Sequence, residues 1–360
     1  MSRRRSRFLY LLFLLIFLSL FGFYKNIQKR ADVCTGSRRA TWWVPKKTCQ
    51  RIKKSIIQTP LEKVNAINLM KNVKSLQRCP WSLNTMMLHE VRSELASCCN
   101  ATGGLLVTQE NTRIGDVITY ETQSNRQIKI TEQIHQMLPQ TSPFPDKPFR
   151  RCAVVGNGGV LLNSCCGSEI DQADYVFRLN LPPMNYSYDI GTKTDLVTAN
   201  PSILHNNYSR LDKKRRPFVE MLKAYKSASL LMPAFSFASN TDVSFKVFYA
   251  LQDFESEQKV LFFHPTYLKN LALHWKGKGL KVRRLSSGLM IVSIALELCD
   301  EVSMYGFWPF PQGATGKPIP HHYYDNKLPK PGFHSMSDEF FFYTKMHSMG
   351  VLRLKVGRCF

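Results

Sequence analysis

RCAVVGNGGVLLNSCCGSEIDQADYVFRLNLPPMNYSYDIGTKTDLVTANPS, residues 151–202, is the stretch that decides the fold. An apolar run, Cys152 to Val155, leads into a glycine turn at residues 156–159. A second extended run, Tyr175 to Phe177, ends just before the Arg-Leu-Asn tripeptide at 178–180. This order predicts a strand, a turn where backbone can approach a ligand closely, a helix and a second strand. It indicates the nucleotide-binding end of an α/β fold.

The glycine turn also fits two other interpretations. An ordinary buried strand followed by a turn can have the same sequence pattern, because short glycine motifs also occur by chance. A dinucleotide fingerprint needs a third small residue after Gly156-x-Gly158, but Leu161 stands in that place. A nucleotide-dependent oxidoreductase is therefore disfavoured.

Segments typical of strands and helices alternate from Cys152 onward. The strands expected after residue 190 are Thr194–Thr198, Ser229–Met232, Val260–Phe263, Val302–Tyr305 and Val351–Leu354, and the helices are Leu211–Lys226, Phe245–Phe254, Tyr267–Trp275 and Asp338–His347. Such alternation predicts a largely parallel sheet covered by helices on both faces.

One further helix is apolar on nearly every side. Ser286-Ser287-Gly288 has the composition of a helix N-cap, and Leu289 to Leu298 follows as an apolar run that we expect to be buried. A buried helix start with free N–H groups and hydroxyls suits a phosphate group. A plain N-cap, which any helix can have, is the alternative.

Four motifs in a fixed order carry a family resemblance. After residues 151–202 come LSSGLMIVSIALELCDEVSMYGFWPF at 285–310, HHYYD at 321–325 and HSMSDE at 334–339. Together they closely resemble the large, small, third and very small motifs of the animal sialyltransferases. GNGG, NLPP, NPSI and HHYYDNKLPKPGFH resemble the α2,8-sialyltransferase branch, and LQRCPW, CCN and FFHPTYLK its oligosialylating and ganglioside-acting members. The resemblance covers residues 76–360.

The resemblance implies both a fold and a reaction. The fold is Rossmann-like α/β of the GT-A-like sialyltransferase type, with a largely parallel sheet flanked by helices. The reaction transfers sialic acid from CMP-sialic acid to the 8-hydroxyl of a terminal sialic acid on a glycolipid or glycoprotein glycan. It inverts the anomeric centre and uses neither metal nor cofactor. A polysialyltransferase of the same branch, or an inactive membrane-anchored glycan-binding protein, is the alternative.

The family motifs also imply roles for individual residues. His334 is the general base, and His322 donates a hydrogen bond or proton to the departing phosphate. A lone histidine is more often structural, and His321, His322, Asp325 and His334 fit no common zinc spacing. Glu339 is expected to cap a helix rather than to catalyse. The expected donor contacts are Asn157, Asn180, Ser286, Ser287, Gly288, Trp308 and His322, with Asn200 and Ser202 near the substrate.

Cysteines and glycosylation patterns indicate the compartment. The chain has ten cysteines without a Cys-x-x-Cys pair, which suggests disulfides in an oxidising compartment and free thiols in the cytosol. The resemblance implies the pairs Cys152–Cys299 and Cys166–Cys359, and Cys79 with Cys98 or Cys99. Acceptor patterns for N-glycans occur at Asn100, Asn185 and Asn207.

The N-terminal region predicts a membrane anchor. Residues 8–24 form an uncharged apolar segment at the short end of spanning length, and no Ala-x-Ala-like cleavage site follows. We predict a cytosolic tail at 1–7, a signal anchor at 8–24, a stem at 25–75 and a lumenal catalytic domain at 76–360. This is a single-pass type II protein of the Golgi membrane.

The charge of the chain agrees with anionic ligands. Its formal net charge is +23, which suits a nucleotide-sugar donor and an acidic acceptor glycan. Nucleic acid is the other usual partner of such a chain, but an anchor and lumenal glycosylation patterns argue against it. The oligomeric state, a homodimer included, is left open by the sequence.

Overall fold

A computed structural model describes residues 44–313, 316–328 and 334–359, together with isolated positions nearer the N-terminus. The tail at 1–7 and most of the anchor at 8–24 lie outside the described residues. Within the part that is described, no helix is long and apolar enough to cross a membrane. Residues 42–359 form one compact unit, and the description below concerns that unit.

Secondary structure is distributed along the whole of this unit. The strands are β1 Val117–Thr119, β2 Gln127–Lys129, β3 Phe149–Val155, β4 Tyr175–Arg178, β5 Leu196–Thr198, β6 Ser229–Met232, β7 Val260–Phe262, β8 Cys299–Tyr305 and β9 Arg353–Lys355. The helices are α1 Lys46–Gln58, α2 Ala66–Leu76, α3 Thr85–Cys98, α4 Ala101–Gly104, α5 Glu132–Gln136, α6 Gly167–Asp171, α7 Ser187–Ile190, α8 Pro201–Tyr208, α9 Arg215–Leu222, α10 Ala238–Asp253, α11 Pro265–Gly277, α12 Ser287–Leu298 and α13 Met336–Met349.

Strands β3 to β9 form a seven-stranded parallel sheet, which confirms the predicted α/β class. The strand order is β7-β6-β5-β4-β3-β8-β9, and every neighbouring pair is parallel. The winding direction reverses between β3 and β8, since β4 to β7 lie on one side of β3 while β8 and β9 lie on the other. Ligands of such sheets bind at the carboxyl ends of the strands at this reversal point.

The central strands are short apolar runs because helices cover both faces of the sheet. Strands β5 and β7 are buried at every position. One apolar cluster contains α12 and α13, and a second contains residues of α8, α9 and α10. Helix α12 is buried from Gly288 to Leu298 except at Glu297, as its all-round apolar sequence predicts.

The folded unit begins before the predicted domain boundary at residue 76. Helices α1 and α2 lie inside the range predicted as stem, and α2 buries Leu69, Val73 and Leu76 in the main core. These positions are four and three residues apart, which places them on one face of a helix. The side-chain amide of Gln77, just after α2, donates through Nε2 to the Leu354 carbonyl at 2.9 Å.

The disulfides agree with the sequence analysis in the motifs and differ outside them. Cys152 is bonded to Cys299 and Cys166 to Cys359, the pairs that the resemblance implied. Cys79 is bonded to Cys49 of α1, not to Cys98 or Cys99, which are bonded to each other. The reason is that α1 packs beside α2 and brings Cys49 to Cys79, with 5.7 Å between their Cα atoms.

Candidate active site

The glycine turn after β3 packs directly against the end of β8. Gly156 N–H donates to the Tyr305 carbonyl at 2.7 Å, and Gly158 N–H donates to the Gly306 carbonyl at 2.8 Å. A Cβ on Gly158 would lie 2.6 Å from that Gly306 oxygen. The two loops at the reversal point therefore meet backbone to backbone, which requires glycine.

The same turn holds the segment that contains His322. Gly159 N–H donates to the His321 carbonyl at 3.1 Å, and Tyr323 N–H donates to the Asn157 carbonyl at 2.9 Å. A Cβ on Gly159 would lie only 2.0 Å from the Pro320 carbonyl oxygen. The large motif thus positions the third motif through main-chain contacts.

Two predicted donor residues, Asn157 and Asn180, follow the neighbouring strands β3 and β4. Asn157 donates through Nδ2 to the Leu179 carbonyl at 2.8 Å, while its Oδ1 is buried with no hydrogen-bond partner among the described residues. Asn180 accepts from Asn200 N–H at 3.1 Å. Asn157 therefore presents an unused acceptor at the carboxyl edge, whereas the Asn180 oxygen braces the loop after β5.

The start of α12 is held by a buried carboxyl group. Ser286 is the N-cap and accepts from Leu289 N–H at 3.1 Å. Its own N–H donates to Glu339 Oε1 at 2.9 Å, and its hydroxyl donates to Glu339 Oε2. Burial raises the pKa of Glu339 to about 7. Glu339 thus supports the small motif, although we expected it to act only as a cap partner in its own helix.

Glu339→Gln should reduce the dependence of stability on pH. The pKa of Glu339 is about 7 in the folded protein and 4.5 for an ordinary glutamate, so the folded protein keeps a proton that the unfolded chain loses. The proton on Glu339 therefore contributes to the free energy of unfolding, and this contribution is complete below pH 4.5. It declines as the pH rises towards 7, by on the order of 3 kcal/mol. Denaturant unfolding of both proteins across this range measures the difference. Identical pH dependence would contradict this role of Glu339.

His334 lies in a pocket with residues from several strand ends. Its Nδ1 donates to the Arg284 carbonyl at 2.8 Å, so the neutral ring carries its lone pair on Nε2. The His334 side chain is exposed at one side, but partial desolvation by the pocket lowers its pKa, and the ring is therefore neutral near pH 7. The pocket is lined by Thr198, Asn200, Pro233, Phe263, Arg284, Leu285, Ser287, Met290 and His334. The predicted residues Asn200, Ser287 and His334 are thus brought together.

His322 forms a dyad with Asp325. Its Nδ1 lies 2.7 Å from Asp325 Oδ1, and its ring stacks on Tyr324 with 5.1 Å between ring centroids. Lys327 N–H also donates to the same carboxylate oxygen, at 3.0 Å. The carboxylate fixes the ring orientation and favours the tautomer with hydrogen on Nδ1, which leaves Nε2 as the ring nitrogen that can contact a ligand.

Asp325→Asn should lower kcat about tenfold through a misoriented His322, and it should weaken CMP binding by a smaller factor because the resemblance implies that His322 also contacts the phosphate. The amide keeps the shape of the carboxylate but no longer favours the Nδ1–H tautomer. Steady-state kinetics and CMP titration separate the two quantities. Asp146→Asn, at an exposed position, is the matched control. Unchanged kcat in Asp325→Asn would show that the dyad does not position the ring.

Three other predicted site residues lie apart from the pocket lining. Trp308 is buried, with its indole N–H donating to the Gln312 carbonyl at 2.7 Å and its ring packed on Phe340. Gly288 is buried in the first turn of α12, and Ser202 is exposed on α8. The sequence analysis missed Thr198, Pro233 and Phe263. Their position just after or at the ends of β5, β6 and β7 is the signal that could have identified them.

The fold and the site define a group-transferring enzyme of the α/β class, with a neutral histidine beside a helix start at the carboxyl edge of a parallel sheet. The chain belongs to glycosyltransferase family 29, the sialyltransferases, whose family model matches residues 106–351. It is a glycosyltransferase, and the family resemblance is confirmed.

Individual relatives cover most of the chain. It is 46% identical over 314 residues to human alpha-2,8-sialyltransferase 8E, across 86% of this chain and 84% of the relative. It is 49% identical over 289 residues to human alpha-2,8-sialyltransferase 8F, across 80% and 73%. A crystal structure of a mammalian sialyltransferase matches with a TM-score of 0.43 and 21% identity, over 89% of this chain and 88% of that chain.

Proposed function

We propose that the protein is an inverting α2,8-sialyltransferase. It transfers sialic acid from CMP-sialic acid to the 8-hydroxyl of a terminal sialic acid on a glycolipid or glycoprotein glycan. The observation that carries the proposal is the fixed, neutral His334 in one pocket with Ser287 at the start of α12. Relatives that are 46% and 49% identical and carry this activity in their names support the linkage.

The donor site consists of backbone and small polar groups at the carboxyl edge of the sheet. The N–H groups at the start of α12 and the hydroxyl of Ser287 face the phosphate, where the helix dipole favours negative charge. Ser286 holds this helix start in place, because its N–H and hydroxyl already donate to Glu339. The unused Asn157 Oδ1 accepts a hydrogen bond from the nucleoside. Asn180 also shapes this surface, because its Oδ1 accepts from Asn200 N–H, and Gly288 adds no side chain at the helix start. Trp308 supports this surface by packing rather than by binding the donor, since its indole N–H already donates to the Gln312 carbonyl.

The reaction is a single displacement with two histidines. The acceptor oxygen attacks the anomeric carbon from the face opposite the phosphate, and its proton passes to His334 Nε2. The bond from the anomeric carbon to the phosphate oxygen breaks, and CMP departs with its negative charge. His322, held by Asp325, donates to that phosphate, and the α12 helix start stabilises the same charge. Neither a metal nor a cofactor takes part.

The proposal includes the location of the enzyme. Residues 8–24 anchor it in the Golgi membrane with a cytosolic N-terminus, and the GT-A-like catalytic domain is lumenal. Asn100, Asn185 and Asn207 are all exposed, as glycosylation requires. The disulfides Cys152–Cys299 and Cys166–Cys359 suit the same oxidising compartment. The enzyme acts as a monomer or homodimer, which sedimentation of the detergent-solubilised chain decides.

A panel of acceptors tests the proposed reaction. The full chain in detergent receives labelled CMP-sialic acid with sialylated glycolipids, sialylated O- and N-glycans and their desialylated forms, with a chelator present. We expect transfer to sialylated acceptors alone, with one or a few residues added. Long polymers would identify a polysialyltransferase. Donor binding without transfer to any acceptor would favour an inactive glycan-binding protein, and transfer to desialylated forms would contradict the α2,8 linkage.

A further inference from the structure

We propose that Arg284 binds the carboxylate of the acceptor's terminal sialic acid and thereby selects sialylated acceptors. This inference rests on the proposed α2,8 transfer, in which the sugar that supplies the attacking hydroxyl also carries a carboxylate. Arg284 lines the pocket with His334, and its own carbonyl accepts the His334 hydrogen bond. The guanidinium is therefore attached to the residue that fixes the base, close to where this sugar must lie.

The guanidinium is held in place but not saturated with acceptors. Its Nη2 donates to Ser236 Oγ at 2.8 Å and to a Glu121 carboxylate oxygen at 3.3 Å. Its Cζ lies 5.4 Å from the centroid of the Phe237 ring. Nε is buried and has no hydrogen-bond partner among the described residues. Since a buried donor without an acceptor costs free energy, this arrangement suits a ligand that brings acceptor oxygens.

Arg284 is also the source of fixed positive charge in this pocket. Among the lining residues that the structure describes, it is the one arginine or lysine. His334 must be neutral to act as a base, so it does not attract an anion. Glu121 lies in the loop after β1, has a side chain that is 6% exposed, and forms an ion pair with Arg284 Nη2. The other N–H groups of the guanidinium are left for a second carboxylate. A planar guanidinium matches carboxylate geometry better than a lysine does.

The test compares two acceptors that differ only in this charge. One acceptor has a free carboxyl on its terminal sialic acid, and the other has the same carboxyl as a methyl ester. The full-length wild type, Arg284→Gln and Arg284→Lys are assayed for kcat/KM on each. Lys281→Gln, at an exposed position three residues earlier, is the matched control for loss of one positive charge.

We expect the wild type to prefer the free acid by about 10- to 100-fold, as for a charge-assisted hydrogen bond. In Arg284→Gln the preference should fall below about threefold, because the variant loses rate only on the free acid. Arg284→Lys should give an intermediate preference, and Lys281→Gln should keep the wild-type value. Thermal unfolding and CMP binding check that each variant is folded. If Arg284→Gln does not fold, the acid-to-ester preference of Arg284→Lys is compared with that of the wild type instead.

Three results would overturn the inference. The wild type could use acid and ester equally well, or Arg284→Gln could keep the full preference for the acid while losing activity, which would indicate a structural role. An increased KM for CMP-sialic acid with unchanged discrimination would assign Arg284 to the donor's carboxylate instead. Wild-type transfer to desialylated acceptors would contradict the proposed α2,8 linkage itself, so the two failures are distinguishable.

Discussion

His334→Ala should lower kcat by about 10² to 10⁴-fold while CMP binds with nearly wild-type affinity. The Arg284 carbonyl holds the Nδ1 hydrogen of His334, so its Nε2 is the atom that takes the acceptor's proton. The groups proposed to bind CMP lie on other segments, at the glycine turn, at the start of α12 and at His322. Single-turnover rates at saturating donor, together with CMP titration by calorimetry, measure the two effects separately.

The control for this variant is a histidine outside the pocket. His89 is exposed on α3, and His89→Ala should leave kcat and CMP affinity unchanged. Nearly wild-type turnover in His334→Ala would remove the histidine from the mechanism. Loss of CMP binding together with turnover would instead assign it a role in building the donor site.

The same assay run at several pH values gives a second signature of His334. Partial desolvation lowers the pKa of this histidine below its usual value of 6.5. Since the neutral ring is the active form, kcat/KM should decline as the pH falls, with a midpoint below 6.5. The residual activity of His334→Ala should lack this decline. A midpoint above pH 7 would assign the controlling proton to another group.

The elements that the sequence predicts best are those that are determined by their own local sequence. The strand Ser229–Met232 has the predicted bounds, because a short apolar run buried on both faces needs no information from its neighbours. Helix α12 is similar, since the N-cap Ser286 and the all-round apolar run specify both its start and its burial. The parallel sheet and the carboxyl-edge location of the site follow from this alternation.

The features that were missed depend on distant partners or on backbone details. Helix α2 is ordered by packing against segments far along the chain, such as Leu354, which a local reading cannot supply. The helix expected after the glycine turn is reduced to one 3-10 turn and the short α6, because Asn163 and Cys165 adopt positive φ values. Arg284 joins the pocket only through the tertiary structure.

Gly159→Ala should lower kcat by about 10²-fold or more and destabilise the fold by about 1 to 3 kcal/mol. An added Cβ would lie 2.0 Å from the Pro320 carbonyl oxygen, which is backbone and cannot rotate away. Relief requires the segment with His321 and His322 to move off the glycine turn, because Gly159 N–H bonds to the His321 carbonyl. His322 would then lose its place relative to the departing phosphate.

Gly277→Ala is the matched control for this substitution. Gly277 ends α11, and a Cβ there would meet nothing within 4 Å. Its kcat should be unchanged, and its stability should rise by up to about 1 kcal/mol because alanine restricts the unfolded chain. The measurements are kcat at saturating substrates and urea unfolding of both variants. If Gly159→Ala retained wild-type kcat, main-chain docking of the third motif on the glycine turn would not be what positions His322.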